Sequence, residues 1–292
     1  MKSNYIICGD NLEILKTIES ESVDLCYIDP PFFTQRDFGE FSDQFESLEY
    51  YLEYIKLRVI EIHRILKNTG SFYLHCDKNA NAYLKVMCDL IFGFKNFLNE
   101  IIWDYGKYPN MAKTKFLRSH DTILFYSKSN EYTFNLQYFD ESSARRKKII
   151  KTGYNTKTLD GKKYLYYYGN NAKGKIDESR FDVIKDIDIS RGSKIPDIWR
   201  INILNSQSKE NLKYPTQKPE ELLECIIKTS SNEGDIVLDC FCGSGTTIAV
   251  SKQLNRQYIG IDKNLNAIKL TNERLTKEIQ ILKQKKKQRC LW

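Results

Sequence analysis

Two segments carry residue types that could do chemistry. They are Asp29-Pro30-Pro31-Phe32 near the start, and Asp239-Cys240-Phe241-Cys242-Gly243-Ser244-Gly245-Thr246-Thr247 far downstream. In the first, two prolines fix the backbone and remove two amide donors. The Asp29 carboxylate and the Pro30 carbonyl can then offer two acceptors to one NH2 group. Phe32 offers a flat face to a planar base. The structural alternative is a proline-rich turn with a core phenylalanine. In the second segment, Gly243 and Gly245 permit a tight turn and a close backbone approach to a ligand. Thr246 opens a helix whose first amides can hold a partly negative group. The next strand ends at Asp262, where a carboxylate can accept from both hydroxyls of a ribose. A glycine turn alone is only a connection between packed elements. The ordered run of strand, turn, helix, strand and acid reads as a nucleoside site. Ile248 stands where G-x-G-x-x-G needs its third glycine, which weighs against a nicotinamide or flavin cofactor.

Both segments need strands to aim them. Val23 to Ile28 reads as a strand ending at Asp29, and Asp235 to Leu238 as one ending at Asp239. Tyr5 to Cys8, Ser71 to His75, Glu100 to Trp103, Thr122 to Tyr126 and Tyr258 to Ile261 read as further strands. Helical spacing covers Asn11 to Ile18, Leu48 to Leu66, Ala80 to Phe92, Glu220 to Thr229, Thr246 to Leu254 and Asn264 to Lys283. Asn68 to Gly70 reads as the stop of the second helix, and Pro219 as the first turn of the fourth. This alternation predicts a doubly wound α/β sheet, whose ligands bind at the carboxyl edge of the strands. From Glu131 to Lys213 the rhythm fails, and a long inserted region is expected there.

The Phe241 to Gly245 segment resembles the F-x-G-x-G motif of S-adenosylmethionine-dependent methyltransferases. Asp29 to Phe32 resembles the D-P-P-Y catalytic motif of enzymes that methylate exocyclic amines of DNA. Catalytic motif first and cofactor motif second is the circularly permuted order of the β class of these amino-methyltransferases. Gly9-Asp10, the strand Gly70 to Asp77, the strand His120 to Lys128 and Tyr214-Pro215-Thr216-Gln217-Lys218-Pro219 match further segments of that family. Phe32 replaces the commoner tyrosine, and Cys240 a common proline.

The resemblance implies a Rossmann-like, mostly parallel sheet with an antiparallel edge strand. It implies a catalytic half at 1–130, a target-recognition insertion at 131–213 and a cofactor half at 214–292. Asp29, Pro30, Pro31 and Phe32 would hold and stack on a flipped base. Asp10, Asp29, Thr216, Lys218, Asp239, Phe241, Cys242, Gly243, Gly245, Thr246 and Asp262 would line the S-adenosylmethionine site. In the family, Asp before the prolines marks adenine N6 and Ser marks cytosine N4. The implied activity is therefore adenine-N6 methylation of duplex DNA by base flipping, within a restriction-modification system. The alternatives are a cytosine-N4 enzyme and a non-catalytic DNA-binding paralogue. A homodimer and a cognate restriction endonuclease are the protein partners the resemblance allows.

Composition fits a large globular domain. The 292 residues are 41% hydrophobic and 28% charged, with a net charge of +7. No apolar run approaches a membrane span and no apolar leader opens the chain, so a cytoplasmic protein is expected. Of the 8 cysteines, Cys8, Cys26 and Cys240 fall in or beside strands and read as reduced core thiols. Cys240 and Cys242 lack the further ligands of a zinc site, so no metal is expected. Arg145, Arg146, Lys147, Lys148 and Lys151 form a basic run followed by Tyr164, Tyr166, Tyr167 and Tyr168, a pattern suited to phosphates and bases. The run Lys283 to Arg289 reads as a solvated helix end. The acidic, aromatic stretch Phe38 to Glu49 is either a loop closing over the base or a plain surface loop.

Overall fold

The computed structural model describes residues 3–106, 113–114, 116–138, 155–159, 162–166, 194–208 and 210–276. The chain divides into two compact units, Met1–Asn135 with Asp197–Trp292, and Leu136–Pro196. The second unit lies within the insertion expected at 131–213, and Ile198–Arg200, also inside those bounds, belong to the first unit. Within that unit, β6 (Asn155–Leu159) and β7 (Lys162–Tyr166) form an antiparallel pair.

The larger unit is built on eight strands. In chain order these are β1 (Tyr5–Cys8), β2 (Val23–Ile28), β3 (Leu66–Cys76), β4 (Phe97–Asp104), β5 (His120–Ser127), β8 (Ile198–Arg200), β9 (Ile236–Asp239) and β10 (Gln257–Asp262). Their spatial order is β1-β10-β9-β2-β3-β5-β4-β8. All neighbours run parallel except around β5, which is antiparallel to both β3 and β4. The antiparallel strand is therefore internal, not at the edge as expected. β4 enters two places beyond β3, β5 fills the gap, and β8 extends the sheet outside β4.

Helices α1 (Asn11–Thr17), α2 (Leu48–Ile65), α3 (Asn81–Phe92), α4 (Glu220–Ser230) and α5 (Thr246–Gln253) connect these strands, and a further helix, α6, runs over 265–276. Period-two alternation sorts the strands' side chains onto two faces. Cys26, Ile28, Phe72, Leu74, Leu124 and Tyr126 share one core with α2 and α3. Leu25, Tyr27, Tyr73, Ile123 and Phe125 share the other with α4. Asp10 caps α1 by accepting from the Leu12 N–H at 2.8 Å, and Ser47 caps α2 by accepting from the Tyr50 N–H at 3.1 Å.

Two local readings change. Helix α2 passes directly into β3 at Leu66, so Asn68 to Gly70 is no helix stop. It is an irregularity inside β3, whose pairing with β2 jumps from Val23↔Leu66 to Leu25↔Ser71. A Cβ on Gly70 would lie 2.8 Å from the Lys67 carbonyl oxygen, so the bend needs a glycine. Cys26 and Cys240 are buried free thiols, but Cys8 is exposed because β1 is an edge strand. Among the described residues no helix is long and apolar enough to cross a membrane.

Candidate active site

Four parallel strands end at one edge. Register pairs Cys8 with Asp262, Gly260 with Asp239, and Cys26 with Leu238. Asp10, Asp29, Asp239 and Asp262 are thus carried to the same edge by four different strands. They all line one cavity of about 550 Å³, together with Thr216, Lys218, Phe241, Cys242, Gly243 and Thr246. Two halves distant in sequence therefore share one cleft.

The glycine turn is held from several sides. The Gly243 N–H donates to Asp262 Oδ2 at 2.8 Å, and the Asn264 N–H donates to Asp262 Oδ1 at 2.8 Å. These bonds fix the carboxylate at the cavity wall with lone pairs to spare. The Thr247 hydroxyl donates to Asp239 Oδ2 at 2.6 Å, and the Phe241 N–H donates to Asp239 Oδ1 at 3.0 Å. Burial pushes the Asp239 carboxyl up to about 7; the neighbouring Asp29 and Asp262 carboxylates add to this, while its two hydrogen bonds oppose it. Burial likewise raises Asp262. Gly245 does not face the cavity. It lies against Thr271 of α6.

Asp29 stands in a wall shared with a second cavity of about 580 Å³, which Pro30, Phe32, Phe38, Trp103, Tyr105 and Arg118 also line. The two cavities have Asp29, Phe41, Tyr214, Thr216, Gln217 and Lys218 in common. Lys218 Nζ donates to Asp29 Oδ2 and sits 5.3 Å from the Phe32 ring centre. Asp29 Oδ1 is buried and has no hydrogen-bond partner. Its ionisable neighbour is His75, with Nδ1 at 3.9 Å. The His75 ring is itself 5.5 Å from Phe32 and 5.4 Å from Trp103.

The segment after Phe32 borders both cavities through Phe41. It is tied to the cofactor-side turn, because the Asn264 side-chain amide donates to the Glu40 carbonyl at 2.6 Å and to Glu40 Oε2 at 2.7 Å. Burial pushes the Asp43 carboxyl up to about 6, although the Thr34 hydroxyl donates to it at 2.7 Å.

The structure brings together every expected catalytic and cofactor-site residue except Gly245, which supports the turn from behind. Arg145, Arg146, Lys147, Lys148 and Lys151 lie outside the described residues. Sequence reading passed over His75, Tyr27, Asp121 and Arg118. One signal was available: His75 falls on the strand face that also carries Tyr73, where alternation calls for an apolar side chain.

The fold and cleft define an S-adenosylmethionine-dependent methyltransferase architecture. Solved structures share it. The PvuII DNA methyltransferase (cytosine-N4-specific) superposes with a TM-score of 0.62 at 18% identity, over 94% of this chain and 86% of that one. The M1.HpyAVI–S-adenosylmethionine complex gives 0.53 at 21% identity, over 92% and 98%. Sequence similarity narrows the class. Residues 23–273 match the DNA methylase family N6_N4_Mtase. The chain is 32% identical to the type II methyltransferase M.HpaI of Haemophilus parainfluenzae, over 94% of its own length and 74% of that protein. It is 31% identical to the DNA adenine methyltransferase YhdJ of Escherichia coli K12, over 94% and 83%. The chain belongs to the DNA methylase family and is a DNA methyltransferase that uses S-adenosylmethionine. The first cavity fits that cofactor: its volume lies in the range of small-molecule sites, and acidic groups and the aromatic rings of Tyr54 and Phe241 line it.

Proposed function

We propose that the enzyme methylates adenine N6 in duplex DNA. The observation that carries this is a carboxylate, Asp29, set between the two cavities with one oxygen anchored by Lys218 and the other unpartnered. Aspartate before the two prolines favours adenine over cytosine, in keeping with the adenine methyltransferase among the relatives.

Bound in the first cavity, the cofactor supplies an electrophilic methyl group on a sulfonium. The protein's work is orientation and preorganised electrostatics. An exocyclic amine is a poor nucleophile because its lone pair is delocalised into the ring. Asp29 Oδ1 and the Pro30 carbonyl accept from its N–H groups and localise that pair. Phe32 stacks on the base, which is flipped from the duplex at a cost of roughly a few kcal/mol. Asp262 accepts from the ribose hydroxyls, Asp10 sits by the cofactor adenine, and Thr216 and Lys218 lie toward the methionine end. The insertion at 131–213, with its basic run, reads the DNA sequence. The type II designation of relatives supports a restriction-modification setting, tested by whether this methylation blocks an accompanying endonuclease. The exposed stripe of Tyr83, Val86 and Leu90 on α3 supports self-association. Leu90→Asp is expected to lower the sedimenting mass, and an unchanged mass rejects that face.

Cofactor affinity is expected to depend on pH. A cationic ligand favours the charged form of nearby carboxyls, and Asp239 titrates at about 7 in its absence. Binding should therefore release a fraction of a proton near neutrality and weaken as pH falls from about 8 to about 6. Calorimetry in buffers of different ionisation enthalpy measures this. No proton release would remove Asp239 as the linked group.

The target base is decided by nucleoside mass spectrometry of DNA treated with enzyme and cofactor. N6-methyldeoxyadenosine is expected, and N4-methyldeoxycytidine in its place overturns the adenine assignment.

A further inference from the structure

We propose that His75, backed by Asp121, is the relay residue that takes up the proton shed by the target amine, acting through Asp29. This rests on the reading of Asp29 as the group that holds the amine.

Methyl transfer leaves a proton to be disposed of. The new N–C bond forms from the nitrogen lone pair, and the C–S bond breaks with its electron pair returning to sulfur. The cationic nitrogen then loses one N–H proton, which on that reading passes to Asp29 Oδ1, a buried atom without a hydrogen-bond partner. That carboxylate is a poor final home for the proton, because the Lys218 ammonium donates to its other oxygen. His75 lies directly behind, fully buried, with Nδ1 3.9 Å from Oδ1. At 3.9 Å the two atoms are not hydrogen-bonded; contacts of catalytic groups are often long in a free enzyme and tighten when the substrate is in place.

The surroundings of the ring fit a proton acceptor. The Tyr27 hydroxyl is 2.9 Å from Nδ1. Nε2 has no hydrogen-bond partner, and Asp121 Oδ2 lies 3.5 Å from it. Burial would raise the Asp121 carboxyl, but His75, Arg118 and Lys218 outweigh burial and hold it down to about 2. A carboxylate that stays ionised faces Nε2, so the proton of the neutral ring belongs on Nε2; Nδ1 then accepts from the Tyr27 hydroxyl, which has to turn away before Nδ1 can take a proton from Asp29. The Asp121 anion then stabilises the imidazolium. Arg118 pairs with Asp121 and, at 3.2 Å, with Asp77. Arg118 also lines the second cavity, which gives the buried pair a polar exit. Among the described residues, Asp29 and Tyr27 lie at Nδ1 and Asp121 at Nε2, with the Phe32 and Trp103 rings 5.5 and 5.4 Å from the imidazole. The Trp103 indole N–H is committed to the Ile201 carbonyl at 2.8 Å.

A buried histidine that only packs would change stability and nothing else, so the test needs readings that packing does not move. His75→Asn and Asp121→Asn are compared with the wild type in single-turnover methyl transfer from about pH 5.5 to 9, with cofactor affinity and melting temperature alongside. His75→Asn is expected to slow transfer about 10²-fold or more, to keep cofactor affinity, and to lose an ionisation from the rate profile. Asp121→Asn is expected to keep that ionisation but displace it toward lower pH, because the imidazolium loses its anion. The chain has 3 histidines. Their labelled ring nitrogens can therefore be assigned by single substitutions, and His75 is expected to carry its proton on Nε2. The proposal fails if folded His75→Asn transfers within about threefold of wild type with an unchanged profile, or if the proton sits on Nδ1. If His75→Asn does not fold, the Asp121→Asn profile and the nitrogen assignment decide alone. The wild-type product nucleoside is measured in the same reactions. Methylcytosine there would reject the adenine reading, while the variant-to-wild-type ratio would still judge the relay, since either amine sheds a proton.

Discussion

Asp29→Ala is expected to lose methyl transfer by at least about 10³-fold while still binding S-adenosylmethionine. The size follows from what the residue does. Misplacing a reacting group by about an ångström costs about 10²-fold, and deleting one preorganised electrostatic contact costs about 10²–10³-fold. Asp29 supplies both kinds of contribution to one nitrogen. The cofactor should still bind, because the proposed ribose partner is Asp262, whose carboxylate is held by the Gly243 and Asn264 N–H groups independently of Asp29. A complication is Lys218, whose side chain is only 10% exposed and would lose its partner. Its neighbours would still include the Thr216 carbonyl at 3.4 Å, the Phe32 ring and the Asp121 carboxylate, whose pKa it lowers. Some loss of melting temperature is therefore expected, and the double variant Asp29→Ala with Lys218→Met should restore it without restoring activity. Single-turnover transfer of labelled methyl to DNA, with calorimetric binding in parallel, gives both readings. Transfer within about tenfold of wild type by Asp29→Ala would remove it from the chemistry.

What the sequence disclosed and what it hid divide along physical lines. The Asp29-Pro30-Pro31-Phe32 and glycine segments are local instructions. Proline fixes φ, glycine permits the left-handed region, and each follows a strand whose apolar alternation is visible without knowing its neighbours. Asp262 was legible for the same reason, since strand, turn, helix and strand fix where it must end. The His75–Asp121 pair was not. It exists only because β3 and β5 run antiparallel in a register that sets His75 opposite Ile123 and Cys76 opposite Thr122. No sequence window contains both residues. The place of β5 inside the sheet was hidden in the same way. Alternation shows that a strand exists, but the slot it takes depends on β4 having entered one position further out. The direct passage of α2 into β3 misled for a different reason. Asn68 to Gly70 has the composition of a helix stop, yet it serves a bend within a paired strand.

Gly245→Ala is expected to destabilise the protein by about 2–6 kcal/mol and to weaken cofactor binding more than about tenfold, although Gly245 itself does not face the cofactor cavity. Two costs combine. The residue has φ +74°, where a side chain is strained by about 1–3 kcal/mol. An added Cβ would also lie 2.3 Å from Thr271 Cγ2 and 2.5 Å from Thr271 Oγ1. Helix α6 must then shift, at an overpacking cost of about 1–3 kcal/mol. The shift reaches the ligand because the Thr271 hydroxyl donates to the Gly243 carbonyl at 3.0 Å, and Gly243 in turn holds Asp262. Adding Thr271→Ala should recover part of the stability lost, since it removes the two nearest atoms, although the Thr271 Cβ would still lie 2.8 Å away. Affinity should recover less, because the bond to Gly243 is gone. A coupling of about 1 kcal/mol or more between the two substitutions, from chemical denaturation, is the expected signature. Additive effects would mean that the strain lies in the backbone alone. An unchanged melting temperature with unchanged affinity would mean that α6 does not press on the glycine turn at all.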